Sequence, residues 1–164
     1  MKRHLWVFAF VLLACVGCDH AAKHVAVQLL SDSGGVALLG GIVRFQLVAN
    51  TGAFLSLGEE LPETLRHLVL IGFVPLMLAA VGWLMFRAPG ATRAQVIAFG
   101  LIAGGGLANW LDRVRDDGAV TDFVSLGLGR LRTGIFNVAD LAIVAGLLVF
   151  LWAGSRRNPE PLSE

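Results

Sequence analysis

The sequence predicts an α-helical membrane protein: four transmembrane helices carrying a small extracytoplasmic β-sheet platform with a loop or short helix. Three observations carry that prediction. Only 15% of the 164 residues are charged and 56% are hydrophobic, whereas a soluble domain of this size carries about 25% charged residues. Long runs are free of charge or nearly so: Leu68 to Phe86 is 19 residues, Ala94 to Leu111 is 18, and Ile135 to Ser155 is 21 with Asp140 alone. Each can cross a hydrocarbon core of about 30 Å at about 1.5 Å per helical residue. Between these runs lie two short segments with the composition of strands.

The first helix, about 5–24, rests on the apolar run Leu5 to Cys18, which Asp19 and Lys23 interrupt. It reaches spanning length if Asp19 sits at the far interface. Lys2-Arg3, the apolar run and Leu12-Leu13-Ala14-Cys15 also have the form of a lipoprotein leader that would be removed. Three further spans come after it rather than a soluble domain, so the first run reads as a retained helix. The segment 25–66 comes next, broken by Gly34-Gly35 and Gly40-Gly41. Within it Val43-Arg44-Phe45-Gln46-Leu47 alternates apolar and polar, the period of a half-exposed strand, and Asn50-Thr51-Gly52 has the composition of a turn.

Pro62 to His67 leads into the second helix, about 67–86, which Pro75 is expected to bend. The third helix covers about 94–112. In the segment 113–134, Asp117-Gly118 marks a tight turn and Ala119 to Val124 a short strand. Paired with 43–47, that strand would make a small sheet on the outer leaflet surface, whose edge could hold an extended peptide. The fourth helix covers about 135–155, and the tail 156–164, with two prolines, is expected to be disordered from Asn158. The whole chain reads as one integral membrane domain.

Lysine and arginine set the orientation. Lys2 and Arg3, Arg87 and Arg93, and Arg156 and Arg157 all fall on one side, which places both termini in the cytoplasm. Arg113, Arg115, Arg130 and Arg132 lie on the other side, mixed with Asp112, Asp116, Asp117 and Asp122, and read as partners of those acids. A net charge of +1 gives no reason to expect nucleic acid as a partner.

Polar residues inside the spans group by helical spacing. Asp19 and Lys23 are four apart; Asn109 lies three before Asp112 and four before Arg113; Asn137 lies three before Asp140. All sit at one membrane boundary, the outer one, where chance placement would not collect every intramembrane polar group. An aspartate within a span costs roughly 2.5–3.5 kcal/mol and is usually functional. If the fourth helix begins at Ile135, Asp140 lies about 8 Å inward, deeper than a solvated anchor would sit. Gly104-Gly105-Gly106 and Ala108 let the third helix approach a neighbour closely.

Two aspartates a few ångströms apart cannot both ionise cheaply, so they share a proton. The charged member can take a proton from water while the neutral one hydrogen-bonds a carbonyl oxygen, which is amide hydrolysis without a covalent intermediate. Nucleophilic catalysis fits less well: the chain has no G-x-S-x-G, and both cysteines lie in the first span. Cys15 and Cys18 read as packing thiols, and His20 and His24, four apart beside Asp19, lack the third imidazole that a metal site needs. Whether Asp122 and Asp140 meet is not derivable from spacing alone.

Five motifs in order resemble those of bacterial lipoprotein signal peptidase (signal peptidase II): Asp19-His20-Ala21-Ala22-Lys23, Asn50-Thr51-Gly52-Ala53-Phe54, Asn109-Trp110-Leu111-Asp112-Arg113, Gly118-Ala119-Val120-Thr121-Asp122-Phe123 and Phe136-Asn137-Val138-Ala139-Asp140. The resemblance implies an aspartic peptidase of the bacterial cytoplasmic membrane, active on its outer side. Its substrates would be prolipoproteins, cut just before a cysteine that carries diacylglyceryl. By motif position Asp122 and Asp140 would be the catalytic pair. Asn50, Gly52, Asn109, Arg113 and Asn137 would shape the site or bind substrate, with Asp19, Lys23 and Asp112 in support. The resemblance further implies no metal or other cofactor, membrane lipid as surroundings, and sensitivity to globomycin-type cyclic peptides; a monomer is expected. Two departures stand out: Ala53-Phe54-Leu55 where the family usually has two alanines before the phenylalanine, and Ala108 where a glycine commonly precedes the asparagine.

Two other classes compete on the residues alone. A transporter or channel subunit would spread polar groups through the membrane depth, and the cores of helices two and three have none. An assembly protein whose aspartates only bind a partner would tolerate asparagine in their place.

Overall fold

The computed structural model describes residues 2–53, 58, 60–87, 90–129 and 131–156. Helix α1 (Lys2–Leu30) is followed by β1 (Val36–Leu38), a 3-10 turn (Leu39–Gly41) and β2 (Val43–Asn50). Helix α2 (Glu63–His67) runs through a π-helical turn (Leu68–Phe73) into α3 (Val74–Arg87). Then come α4 (Arg93–Arg115), β3 (Val120–Leu128), β4 (Leu131–Arg132) and α5 (Val138–Ser155). Four helical stretches, Arg3–Leu30, Glu63–Leu84, Arg93–Arg115 and Val138–Ser155, are long and apolar enough to cross a membrane. The expected class, four apolar helices with a small sheet, is therefore the observed one.

The element ends differ from the sequence expectation in ways that have causes. Helix α1 continues to Leu30 rather than stopping near residue 24, because Asp19 and Lys23 pair with each other across one turn at 2.5 Å and do not end the apolar face. Helix α4 reaches Arg115, so Arg113 to Arg115 are helical and not loop residues. Helix α5 starts at Val138 with Asn137 as its N-cap, instead of near Ile135. Asp140 is thus in the first turn, about 3 Å along the axis from the helix start, and the 8 Å depth is corrected. Leu55, Arg130, Arg157 and the tail from Asn158 lie outside the described residues.

Helix α4 is the centre of the bundle, and its consecutive glycines explain how. Helical geometry turns successive residues by about 100°, so three in a row face three directions. A Cβ on Gly104 would lie 2.7 Å from the Cys15 Cβ of α1, one on Gly105 would run into the Ala139 carbonyl of α5, and one on Gly106 would meet Leu78 of α3. Gly146 of α5 answers with a close approach to the Ala98 carbonyl. Dispersion at such short separations, not hydrophobic burial, holds helices together in lipid.

Pro75 is the second residue of α3 and has no N–H to give the Ile71 carbonyl four residues back. The wider π turn sits directly before it, and Trp110 Nε1 on α4 donates to that carbonyl at 2.9 Å. The expected bend is thus a locally unwound turn whose orphan acceptor is satisfied from the next helix.

The sheet is antiparallel in the order β1-β2-β3-β4, and the expected pairing of 43–47 with the later strand is present. Its register carries one irregularity. From Val43 to Phe45, β2 pairs with Leu126 to Val124; beyond a bulge, Val48 pairs with Asp122 and Asn50 with Val120. Had the first register continued, Asp122 would face Leu47, and Asn50 would point to the opposite side of the sheet. The extra residue in β2 is what sets Asn50 and Asp122 diagonally on one face.

Gly105→Ala should lower stability by about 1–3 kcal/mol through overpacking against a carbonyl that cannot yield. Gly106→Ala, which meets only the flexible end of Leu78, should leave it unchanged or slightly raised. Thermal unfolding of both variants in the same detergent compares them directly.

Candidate active site

The polar residues collected at one membrane boundary converge on a buried ammonium. Lys23 Nζ sits 2.5 Å from Asp19 Oδ2, 2.6 Å from Asp112 Oδ2 and 3.1 Å from Asn109 Oδ1. The first two contacts are ion pairs and the third is a hydrogen bond, which a lysine can only donate. Asp19 is fully buried, and Lys23 and Asp112 nearly so. Asp19 spends its other oxygen on the Ala139 backbone N–H at 2.8 Å, which ties α1 to the first turn of α5.

Lys23 also fixes the rotamer of an amide. Because a cation can only donate, the Asn109 side chain must present its oxygen to Lys23. Its Nδ2 therefore faces the other way and donates to Asp140 Oδ1 at 3.0 Å. The same Asn109 oxygen accepts from Asn137 Nδ2 at 3.0 Å, and that nitrogen also donates to Asp122 Oδ1 at 2.6 Å. Asn137 Oδ1 caps α5 by accepting from the Asp140 N–H at 3.0 Å, while Asp140 Oδ2 accepts from the Asn137 N–H at 3.2 Å. This is a reciprocal capping box built from an asparagine and an aspartate.

On the sheet side, Asn50 Nδ2 donates to Asp122 Oδ2 at 2.8 Å and to the Ala53 carbonyl at 3.2 Å. Its oxygen accepts from the Gly52 N–H at 2.9 Å, an Asx-turn that closes the strand end. Arg113 clamps that turn to α4: Nη2 donates to the Gly52 carbonyl at 2.6 Å and Nη1 to the Asn109 carbonyl at 3.3 Å. Arg113 Nε is buried and has no hydrogen-bond partner among the described residues, a donor that a ligand carbonyl would satisfy.

The result is two buried carboxylates, Asp122 at 1% and Asp140 at 7% exposure, whose four oxygens each accept one N–H from the protein. They come from different elements, the strand β3 and the helix α5, and Asn137 touches both. Burial pushes the Asp122 carboxyl up to about 6, and the charge of Asp140 adds to the rise. The amides of Asn50 and Asn137 and the charge of Lys23 oppose it.

The chain belongs to the signal peptidase II family. The model of that family, described as signal peptidase (SPase) II, matches residues 11–155. The lipoprotein signal peptidase of Treponema pallidum is 34% identical over 92% of this chain and 84% of its own length. That of Trichormus variabilis is 33% identical over 97% and 94%. Among solved structures, bacterial membrane enzymes determined by the in meso method at 2.3 and 1.9 Å resolution superpose with a TM-score of 0.70 at 20% and 19% identity. The first covers 100% of this chain and 96% of that chain, and the second 96% of each. The match confirms the fold, and the family makes the protein a membrane-embedded peptidase.

All ten residues singled out from the sequence lie in this one network: Asp19, Lys23, Asn50, Gly52, Asn109, Asp112, Arg113, Asp122, Asn137 and Asp140. The remaining candidates do not join into a metal site. His24 bonds Gln28 and His20 bonds the Val16 carbonyl, and no metal-competent cluster of His, Cys, Asp or Glu occurs among the described residues. Sequence reasoning singled out Gly52 but not its carbonyl, and missed the backbone of Ala139 and the Ala53 carbonyl. The backbone of Ala139 and the carbonyls of Gly52 and Ala53 leave no side-chain trace, although Asn137 three before Asp140 was a visible capping signal. His20 lies 3.6 Å from Asp112, one step outside the ammonium cluster. Ala108 is fully buried behind Asn109, and Phe54 of the other departure lies outside the described residues.

Lys23→Met should be costly, because it strands two buried carboxylates and frees the Asn109 amide to turn. Removing one partner of a buried pair typically costs about 3–5 kcal/mol. Unfolding in mixed detergent micelles should show a loss of that order, and Lys23→Arg should lose less.

Proposed function

We propose that this member of the family is an aspartic endopeptidase that removes signal peptides from diacylglyceryl-modified prolipoproteins, cutting just before the lipidated cysteine. The reading is supported by one observation above all. Two buried aspartates from separate elements are held by amide donors on all four oxygens, at the same end of the bundle as Asp19, Lys23, Asn109 and Asp112. One N–H on each oxygen leaves the second lone pair for water or a shared proton.

Asp122 and Asp140 act as the catalytic pair and hold a single proton between them. The ionised carboxylate removes a proton from water as the water oxygen attacks the carbonyl carbon. The protonated carboxyl hydrogen-bonds the carbonyl oxygen and gives up its proton as the tetrahedral intermediate forms. On collapse the carbon–nitrogen bond breaks and a proton passes to the leaving nitrogen. Arg113, through its free Nε, and the turn of Asn50 and Gly52 bind substrate backbone; Asn109 and Asn137 orient the two carboxylates. Asp19, Lys23 and Asp112 hold Asn109 and α5 in place. The enzyme lies in the bacterial cytoplasmic membrane with both termini in the cytoplasm, acts at the outer surface as a monomer without metal, and is blocked by globomycin-type cyclic peptides.

Asp122→Asn and Asp140→Asn should each reduce cleavage of a diacylated prolipoprotein by about 10²–10⁴-fold, the worth of a general acid or base, while the proteins still insert. A gel-shift assay on purified enzyme measures this, and normal turnover in either variant would exclude the pair. Asn50→Leu removes a donor that favours the charged carboxylate, so the Asp122 titration should move from about 6 to higher pH. Difference infrared spectra of the carboxyl stretch, with Asp122→Asn as blank, follow that shift.

A further inference from the structure

The end of the bundle away from the aspartates carries a second built feature. Arg3, His4 and Val7 lie on one face of the first turns of α1, by their spacing of three and four. They meet Arg93, the first residue of α4, around a cavity of about 250 Å³. Two guanidinium groups and an imidazole thus surround one small space with an apolar floor.

Three observations describe what would fit it. Among the described residues, neither Arg3 nor Arg93 has an ion-pair or hydrogen-bond partner, and no acidic side chain stands at this end. Glu160 and Glu164 of the tail lie outside those residues. Helix α4 begins here, so its first amides and the positive end of its dipole face the same region, and the reciprocal capping box of Thr92 and Gln95 satisfies the N–H groups of those two residues but not those of Arg93 and Ala94. The two other arginines described at this end are engaged differently: Arg87 lies over the Trp83 ring at 5.0 Å and Arg156 over the Trp152 ring at 4.3 Å. Stacked arginine–tryptophan pairs are features of a membrane interface, and they put the cavity at headgroup depth.

We propose that the cavity between the first turns of α1 and α4 binds the headgroup phosphate of an anionic phospholipid. Arg3 and Arg93 contact the phosphate oxygens, His4 donates alongside them, and Val7 packs on the glycerol and acyl region below. A zwitterionic headgroup brings its own cation to the phosphate and gains less from the same two guanidiniums. The site bridges the inner ends of the two helices whose outer ends carry Asp19, Lys23, Asn109 and Asp112. It is independent of the peptidase reading and lies at the opposite end of the bundle.

Native mass spectrometry of the full chain released from nanodiscs tests this, with phosphatidylglycerol against phosphatidylcholine. Wild type should retain phosphatidylglycerol in preference, and Arg3→Gln or Arg93→Gln should each weaken retention about fivefold, the effect of one basic residue near a charged surface. Arg87→Gln, stacked on its tryptophan, should retain the lipid as wild type does. An equal loss in Arg87→Gln would mean that the cationic end acts diffusely and would overturn the site. So would equal retention of both lipids by the wild type, as expected if the chain's own carboxylates fill the cavity. Cleavage by each variant in phosphatidylcholine at the wild-type rate verifies folding.

Discussion

A buried ammonium set between two carboxylates and an amide oxygen is the constraint on which the polar end of the bundle depends. Lys23 cannot rotate without stranding Asp19 or Asp112, and because it cannot accept a hydrogen bond it decides which way Asn109 points. That choice propagates. Asn109 turns its nitrogen to Asp140 and its oxygen to Asn137, and Asn137 turns its nitrogen to Asp122. A flipped Asn109 would set an N–H against Lys23 and a lone pair against a carboxylate, two repulsions in a region of low dielectric. The geometry of both aspartates therefore rests on a residue 86 positions earlier than the amide it orients.

Packing and polar order meet at Ala139. Its N–H reaches Asp19 on α1, and its carbonyl lies against Gly105 on α4, so a fully buried alanine joins three helices through its backbone. It stands between Asn137, the cap of α5, and Asp140. A larger residue at 105 would push α5 outward and break the Asp19 contact together with the Asn109 to Asp140 bond. In lipid, where helices gain nothing from excluding each other from water, close backbone approach and satisfied polar groups must supply the specificity. Here both are supplied within a single helical turn.

Much of this was legible in the sequence, and the rest was hidden for physical reasons. Charge-free runs define the spans because the cost of a charge in hydrocarbon is large and local. The spacing of Asp19 with Lys23, and of Asn109 with Asp112 and Arg113, places each set on one face because helical periodicity is rigid. The end of α1 was hidden because paired charges no longer behave as charges, and a reading that stops the span at Lys23 misses Val25 to Leu30. The start of α5 was hidden because Ile135 and Phe136 are as apolar as the helix they precede; Phe136 instead bridges to Val124 in the sheet. The bulge in β2 had no compositional mark at all. It is a register choice, set by which faces of both strands can be buried, and it brings Asn50 onto the face of Asp122.

The distribution of charge follows from what each end must do. Four carboxylates and two cations, Lys23 and Arg113, share the buried cluster, which would carry two net negative charges if all ionised. Burying that excess is costly, and the carboxyl of Asp122, raised to about 6 by burial, is a place where a proton relieves part of it. Under the proposed function, a carboxyl that takes up a proton near neutral pH is also what acid–base hydrolysis would use. Asp140 lies in the first turn of α5 rather than deep in the span. Both carboxylates are buried, yet Asp140 stands in the first turn of its helix, where the proposed reaction would bring water and an extended peptide to it.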